Sequence, residues 1–160
     1  MTSSLRPRLD RDDPAATHGW WTIALAISGT AVSGYLTAAH FQDSLLVCSG
    51  GSDCETVQNS TYSDVAGIPV AILGLAMYIA ALGLAIVRSI RTELVERVTV
   101  TLFVMLVAGF LFTLYLTYLE LFVIDAICQW CVASAVITTS MLIVEGLRVR
   151  QLLAPEPADS

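Results

Sequence analysis

The sequence predicts an all-α membrane protein, a bundle of four transmembrane helices with an external loop and a short half-helix between the first and second spans. Three observations predict it. The composition, 56% hydrophobic and 14% charged with a mean hydropathy of +0.72, is too apolar for a soluble domain, where about 25% of residues are charged. The apolar residues gather in four runs near 20–41, 68–88, 98–119 and 125–146, and a helix of about 20 residues rises about 30 Å, the thickness of the hydrocarbon core. All eight basic residues are arginines, and they lie on one side of the spans so defined.

Those arginines set the orientation. Arg6, Arg8 and Arg11 precede the first span, Arg88, Arg91 and Arg97 lie between the second and third, and Arg148 and Arg150 follow the fourth, while the 42–67 loop and the 119–125 turn have none. Short cytoplasmic segments retain cationic residues during insertion. Both termini are therefore expected in the cytoplasm and the two arginine-free segments outside, in a bacterial cytoplasmic (inner) membrane. The net charge of −6, with no basic patch interleaved with aromatics, argues against nucleic acid as a partner.

Residues 1–19 are expected as a cytoplasmic N-terminal tail, 20–147 as the four-helix domain and 148–160 as a cytoplasmic C-terminal tail, with 1–16 and 153–160 mobile. The first span opens on Trp20 and Trp21, an interfacial aromatic pair. It is longer than the apolar core of a signal peptide, and no soluble secreted domain follows it. Small residues at four-residue spacing, Ala24 with Ser28 and Ala81 with Ala85, are expected to let helix backbones approach closely. Pro69, after Gly67, is expected just inside the start of the second span, where a missing N–H is tolerated. The third and fourth spans are joined by a few residues around Glu120 to Asp125, so they should pack as antiparallel neighbours.

Chemistry is carried by four cysteines. Cys48 and Cys54 lie in the external loop with five residues between them, Ser-Gly-Gly-Ser-Asp, a flexible closure that permits a disulfide. Cys128-Gln-Trp-Cys131 opens the fourth span on the same side of the membrane. Residues three apart on a helix share a face, and a helix N-terminus stabilises a thiolate, so a redox-active pair is the natural reading. Two inert structural disulfides remain an alternative, since the external compartment permits them. A Cys₄ zinc site is disfavoured because the first spacing is longer than a zinc knuckle and the second pair starts a membrane helix. Neither histidine alters this: His18 lies in the cytoplasmic leader, and His40, near the external end of the first span, reads as an interfacial polar residue.

Across 20–146 these residues resemble the bacterial homologues of vitamin K epoxide reductase, the VKOR family. The resemblance rests on Cys48 and Cys54, on Ser60 six residues after Cys54, on Gly67-Ile68-Pro69-Val70 leading into the second span, and on Cys128-Gln-Trp-Cys131, in that order and on that topology. It implies a membrane thiol:quinone oxidoreductase. A DsbA-like thioredoxin-fold partner on the external side gives two electrons to the loop pair, first at Cys48; Cys54 exchanges with Cys128; and Cys131, nearest the ring, reduces a quinone held in the bilayer among the helices. Ser60 is where the family places a loop hydroxyl beside the active site, as a polar contact to the quinone. The residues alone equally allow a local turn hydrogen bond in Gln58-Asn59-Ser60-Thr61.

Two departures qualify what the resemblance implies. Animal members carry a tyrosine four residues after the second cysteine of the Cys-X-X-Cys pair, where this sequence has Ala135, so quinone reduction is better supported than epoxide reduction. Some bacterial members continue into a fused thioredoxin-like domain, whereas this sequence stops shortly after its last span, so the redox partner is expected to be a separate protein. Arginine to the exclusion of lysine, with abundant alanine, suggests a high-GC genome and favours menaquinone over ubiquinone. The acidic loop residues Asp43, Asp53, Glu55 and Asp64 are read first as a solvated surface and secondarily as steering for a basic partner. A non-enzymatic membrane scaffold with structural disulfides is the rival function. A transporter would need ionisable residues at the bundle centre, and apart from Glu145 near the cytoplasmic end the spans have none.

Overall fold

The computed structural model describes residues 14–42, 53–60, 62–65 and 67–153. Helix α1 runs Pro14–Phe41, the five-residue α2 Cys54–Gln58, α3 Val70–Ile90, α4 Val95–Leu119 and α5 Gln129–Leu153. Strands β1 (Asp64–Val65) and β2 (Ile68–Pro69) form a small antiparallel hairpin before α3. A 3₁₀ turn, Thr92–Leu94, links α3 to α4, and a π-helical turn, Glu120–Ile124, prolongs α4. Four helices are long and apolar enough to cross a membrane. The protein is an all-α four-helix membrane bundle in which each long helix packs on two neighbours, in the ring α1, α3, α4, α5. The expected half-helix is α2.

Three boundaries differ from the sequence expectation. Most of both expected tails lies outside the described residues, but α1 already begins at Pro14, a first-turn position where proline's fixed φ suits a helix. The second span starts at Val70, and Pro69 stands before it in β2. Gly67, at φ 80, turns the chain so that Val65 pairs with Ile68 and Asp64 with Pro69, keeping the backbone extended until the Val70 N–H closes onto the Ser63 carbonyl at 2.8 Å. The link between the last two spans is not Glu120 to Asp125. Leu121, Phe122 and Val123 face outward, and backbone at membrane depth must bond internally, so helical structure continues to Ile124. Asp125, at φ 55, then ends it with its N–H on the Glu120 carbonyl, and α5 begins only at Gln129.

The core follows the three–four spacing of helix packing. On α1 the buried residues are Thr22, Ala26, Gly29, Ser33, Leu36 and Ala39; on α3 they are Tyr78, Ala81, Ala85 and Arg88. Val98, Leu102 and Leu106 face them from α4, and Thr138, Met141 and Glu145 from α5. Ala81 and Ala85 are buried as expected, but Ser28 is exposed and its hydroxyl donates to the Ala24 carbonyl. The close approach of α1 and α3 is made instead at Gly29, where an added Cβ would collide with the Tyr78 ring. The Tyr78 hydroxyl reaches past that contact to α5, with Thr138 Oγ1 at 2.7 Å and the Ser134 carbonyl and hydroxyl at 3.0 Å.

At the arginine-bearing end one polar cluster joins all four spans. Arg88 Nη1 and Nη2 meet Glu145 Oε2 and Oε1 at 2.6 and 3.0 Å. Thr22 of α1 donates to Glu145 Oε1 at 2.6 Å, Thr99 of α4 accepts from Arg88 at 3.4 Å, and Arg148 approaches Glu145 to 4.0 Å. Arg88 is thus a buried ion-pair partner inside α3, whereas the sequence expectation put it between the second and third spans. Removing one member of such a pair strands the other charge, at a cost of about 3–5 kcal/mol, whereas replacing both with apolar side chains is often neutral. Arg88→Ala and Glu145→Ala are therefore each expected to lower the unfolding temperature in detergent sharply, and Arg88→Met/Glu145→Leu to recover most of the loss.

Candidate active site

At the opposite end, α2 and the head of α5 bring three cysteines together. Cys54 is the first residue of α2 and is fully buried, and α2 packs against the π turn. Its sulfur contacts that of Cys128, also fully buried. Cys128 stands immediately before α5 and caps it: its carbonyl accepts the Val132 N–H at 3.1 Å, and its sulfur accepts the N–H groups of Trp130 and Cys131. A side-chain acceptor at this position satisfies N–H groups that have no partner inside the helix. Beside it, the Trp130 ring packs on Tyr35 of α1 with centroids 4.8 Å apart.

The two sulfurs of the Cys-X-X-Cys pair have different surroundings. The Cys131 thiol donates to the Cys128 sulfur, and this bond, with the backbone N–H groups and the Cys54 thiol, outweighs burial and holds the Cys128 thiol down at about 6 from its usual range near 9. Cys131 lies inside α5, and its contacts are the Cys128 sulfur and the side chain of Glu120. Glu120 is buried; its carboxylate accepts the Cys128 backbone N–H and shares the single Cys131 S–H with the Cys128 sulfur. The sequence assigned Glu120 to a turn, so this contact was missed. The available signal was an acidic residue inside the apolar run Leu119-Glu120-Leu121-Phe122-Val123-Ile124.

Cys131 also lines a cavity of about 180 Å³ bounded by α1, α3, α4 and the α2 segment, and it is the only described cysteine that does so. The walls are mostly apolar, with Met77, Phe112 and Leu116 among them, and Ser33, Tyr78, Ser134, Thr138 and Glu120 supply polar atoms. An apolar cavity of about 150 Å³ suffices to hold a benzene ring, so the space fits a ring-sized apolar ligand beside a thiol. Gln58, Ser60 and His40 also border it. Ser60 meets both sequence readings: its hydroxyl donates to the Val57 carbonyl at 2.8 Å, a local turn bond, and the residue borders the cavity. Gln58 keeps a buried Nε2 without a hydrogen-bond partner among the described residues.

Cys48 and Asp43 lie outside the described residues. Asp53, Glu55 and Asp64 are solvent-exposed, and His40 stacks edge-on against Phe41 with centroids 5.5 Å apart. Tyr78 is the second residue of the site that sequence reasoning missed. The vitamin K epoxide reductase family is matched over residues 20–145, most of the chain.

Two outcomes follow from this geometry. The thiolate absorbance of the reduced protein should be present at neutral pH and disappear as pH falls through about 6, and this step should be missing in Cys128→Ser. In Cys131→Ser, mild oxidation should join Cys54 to Cys128, a link that non-reducing peptide mapping identifies.

Proposed function

The chain belongs to the vitamin K epoxide reductase family, a membership that makes it a membrane thiol–disulfide oxidoreductase, and on that premise we propose that it oxidises thiols outside the membrane and passes their electrons to a quinone. The observation that carries the proposal is the division of labour within one Cys-X-X-Cys pair. Cys128 touches Cys54, on the short helix within the external loop, while Cys131 borders the apolar cavity. Cys54 and Cys128 are fully buried and Cys131 opens on the cavity, so exchange with a partner protein, which needs an accessible thiol, falls to Cys48, and contact with a ring in the cavity falls to Cys131.

In this reading the reduced thiols of a thioredoxin-fold partner attack the Cys48–Cys54 disulfide, the partner leaving oxidised and the loop pair as two thiols. Cys54 and Cys48 then pass two electrons to the Cys128–Cys131 disulfide through a Cys54–Cys128 bond. Oxidation of the Cys128–Cys131 dithiol returns the disulfide and sends two electrons and two protons to the quinone, which leaves as the quinol. The low proton affinity of Cys128 suits it to exchange near neutral pH, since the attacking species is the thiolate. The cavity lining holds the ring against Cys131, with the mutually bonded hydroxyls of Tyr78, Ser134 and Thr138 on its polar side.

The arginine-free ends of the spans, where the cysteines cluster, are assigned to the external face of a bacterial inner membrane, with both termini in the cytoplasm. Menaquinone is the favoured acceptor, on composition, and the quinone is preferred to an epoxide because Ala135 stands where animal members carry the tyrosine that bonds the vitamin ring. Purified protein in detergent should therefore reduce a naphthoquinone at the expense of a dithiol, and Cys131→Ala should abolish turnover while keeping the wild-type unfolding temperature. A wild-type protein that neither binds nor reduces the quinone would instead favour a scaffold with structural disulfides.

A further inference from the structure

Among the described residues two carboxylates are buried within the spans, Glu120 and Glu145, and they are treated differently. Glu145 is neutralised by Arg88, whereas no arginine lies against Glu120 among the described residues, and its partners are the Cys131 thiol and the Cys128 N–H. Burying a carboxylate without a cation is costly, so a purely structural acid at this point would be a poor solution. Glu120 also borders the cavity, so one carboxyl group contacts both the thiol and the space beside it.

The two cysteines differ in their need for such a group. The Cys128 sulfur is served by two backbone N–H groups at a helix end, which favour its thiolate. Cys131 lies further into the helix and cannot share those groups, yet its proton must leave when the pair is oxidised. We propose that Glu120 is the proton acceptor of Cys131, taking the thiol proton as the Cys128–Cys131 dithiol is oxidised and passing it to an oxygen of the quinone.

The step balances as follows. Two S–H bonds break, the Cys128–Cys131 bond forms, two electrons go to the quinone, and its two oxygens gain two protons, of which Glu120 carries the one from Cys131. The carboxylate is restored at the end. In the disulfide state without a quinone, Glu120 has lost its thiol donor and retains that proton as a carboxylic acid. The assignment rests on the quinone reading only for the final acceptor.

Among the described residues, the other titratable groups around Glu120 and the cavity are Cys128 at the head of α5, Cys131 of α5, Cys54 behind Cys128, His40, Tyr62 and Tyr78 of the cavity lining, and the exposed Asp125 that ends the π turn. The test therefore compares Glu120→Gln and Glu120→Asp in the wild-type and His40→Gln backgrounds, with unfolding temperature as the check on folding. Glutamine still accepts the Cys128 N–H but cannot take a proton. Quinone turnover in Glu120→Gln should fall about 10²–10⁴-fold, the usual worth of a general base, and should then rise steadily with pH, with Glu120→Asp recovering part of the rate. Independently of any quinone, oxidising the dithiol with diamide should produce a protonated-carboxyl band in the infrared difference spectrum that is absent in Glu120→Gln. Wild-type turnover and pH profile in Glu120→Gln, with no such band in the wild type, would overturn the assignment and leave the quinone reading standing. The band without quinone turnover in the wild type would uphold Glu120 and remove the quinone.

Discussion

Burying the Glu145 carboxylate obliges the bundle to deliver Arg88 to it, and that requirement fixes how the four spans meet. In a bilayer the apolar surfaces of helices have little reason to prefer one another over lipid, so specificity has to come from close packing and from polar contacts that cannot be left unmade. The cluster of Thr22, Arg88, Thr99 and Glu145 draws one residue from each span. Once it is made, the rotation of every helix about its own axis is set, and with it the faces that appear at the far end. Tyr78 continues the constraint upward, passing the α1 backbone at Gly29 and bonding Ser134 and Thr138 on α5. Ser134 lies three residues beyond Cys131, so the position of the thiol is tied to the same lattice of contacts.

At the cysteine end the physics is that of helix termini. The head of α5 presents N–H groups that need acceptors, and Cys128 supplies a sulfur. The tail of α4 presents carbonyls that need donors, and the Glu120 carbonyl takes the N–H groups of Asp125 and Ala126. Two unfinished helix ends placed side by side thus complete each other around a dithiol. Chemistry that needs an uneven pair of sulfurs, one easily ionised and one not, arises from where each sulfur falls relative to the first turn.

Much of this was legible in the sequence, and the parts that were not share a cause. Four spans, their antiparallel order and the Cys-X-X-Cys at a helix head follow from run length, arginine placement and spacing, all local properties. The inward face of α1 was not legible: in a helix apolar on every side hydropathy does not distinguish core from lipid, and Ser28, taken for a packing residue, turned out exposed. Arg88 was read only as a topology signal between two spans because its partner is 57 residues away. Glu120 passed for a turn residue because a charged side chain near Asp125 looks like the end of a span, and nothing in a regular helical repeat announces a π turn. The loop cysteine Cys48 was named from spacing and resemblance alone.

The π turn at Glu120–Ile124 has a consequence for how the protein tolerates change. A wider turn accommodates one residue more than an α-helical one, and here that residue sets the angular phase between the bundle and everything after it. Loss of a single residue between Leu121 and Ile124 would let α4 finish as an ordinary helix, and the shortened link would then have to draw either the Cys128–Cys131 head away from Glu120 or the whole of α5, with Glu145, out of register with Arg88. Chain length at this one place therefore couples the two ends of α5: the register that seats Glu145 on Arg88 and the one that seats the cysteines beside Glu120 are set by the same turn.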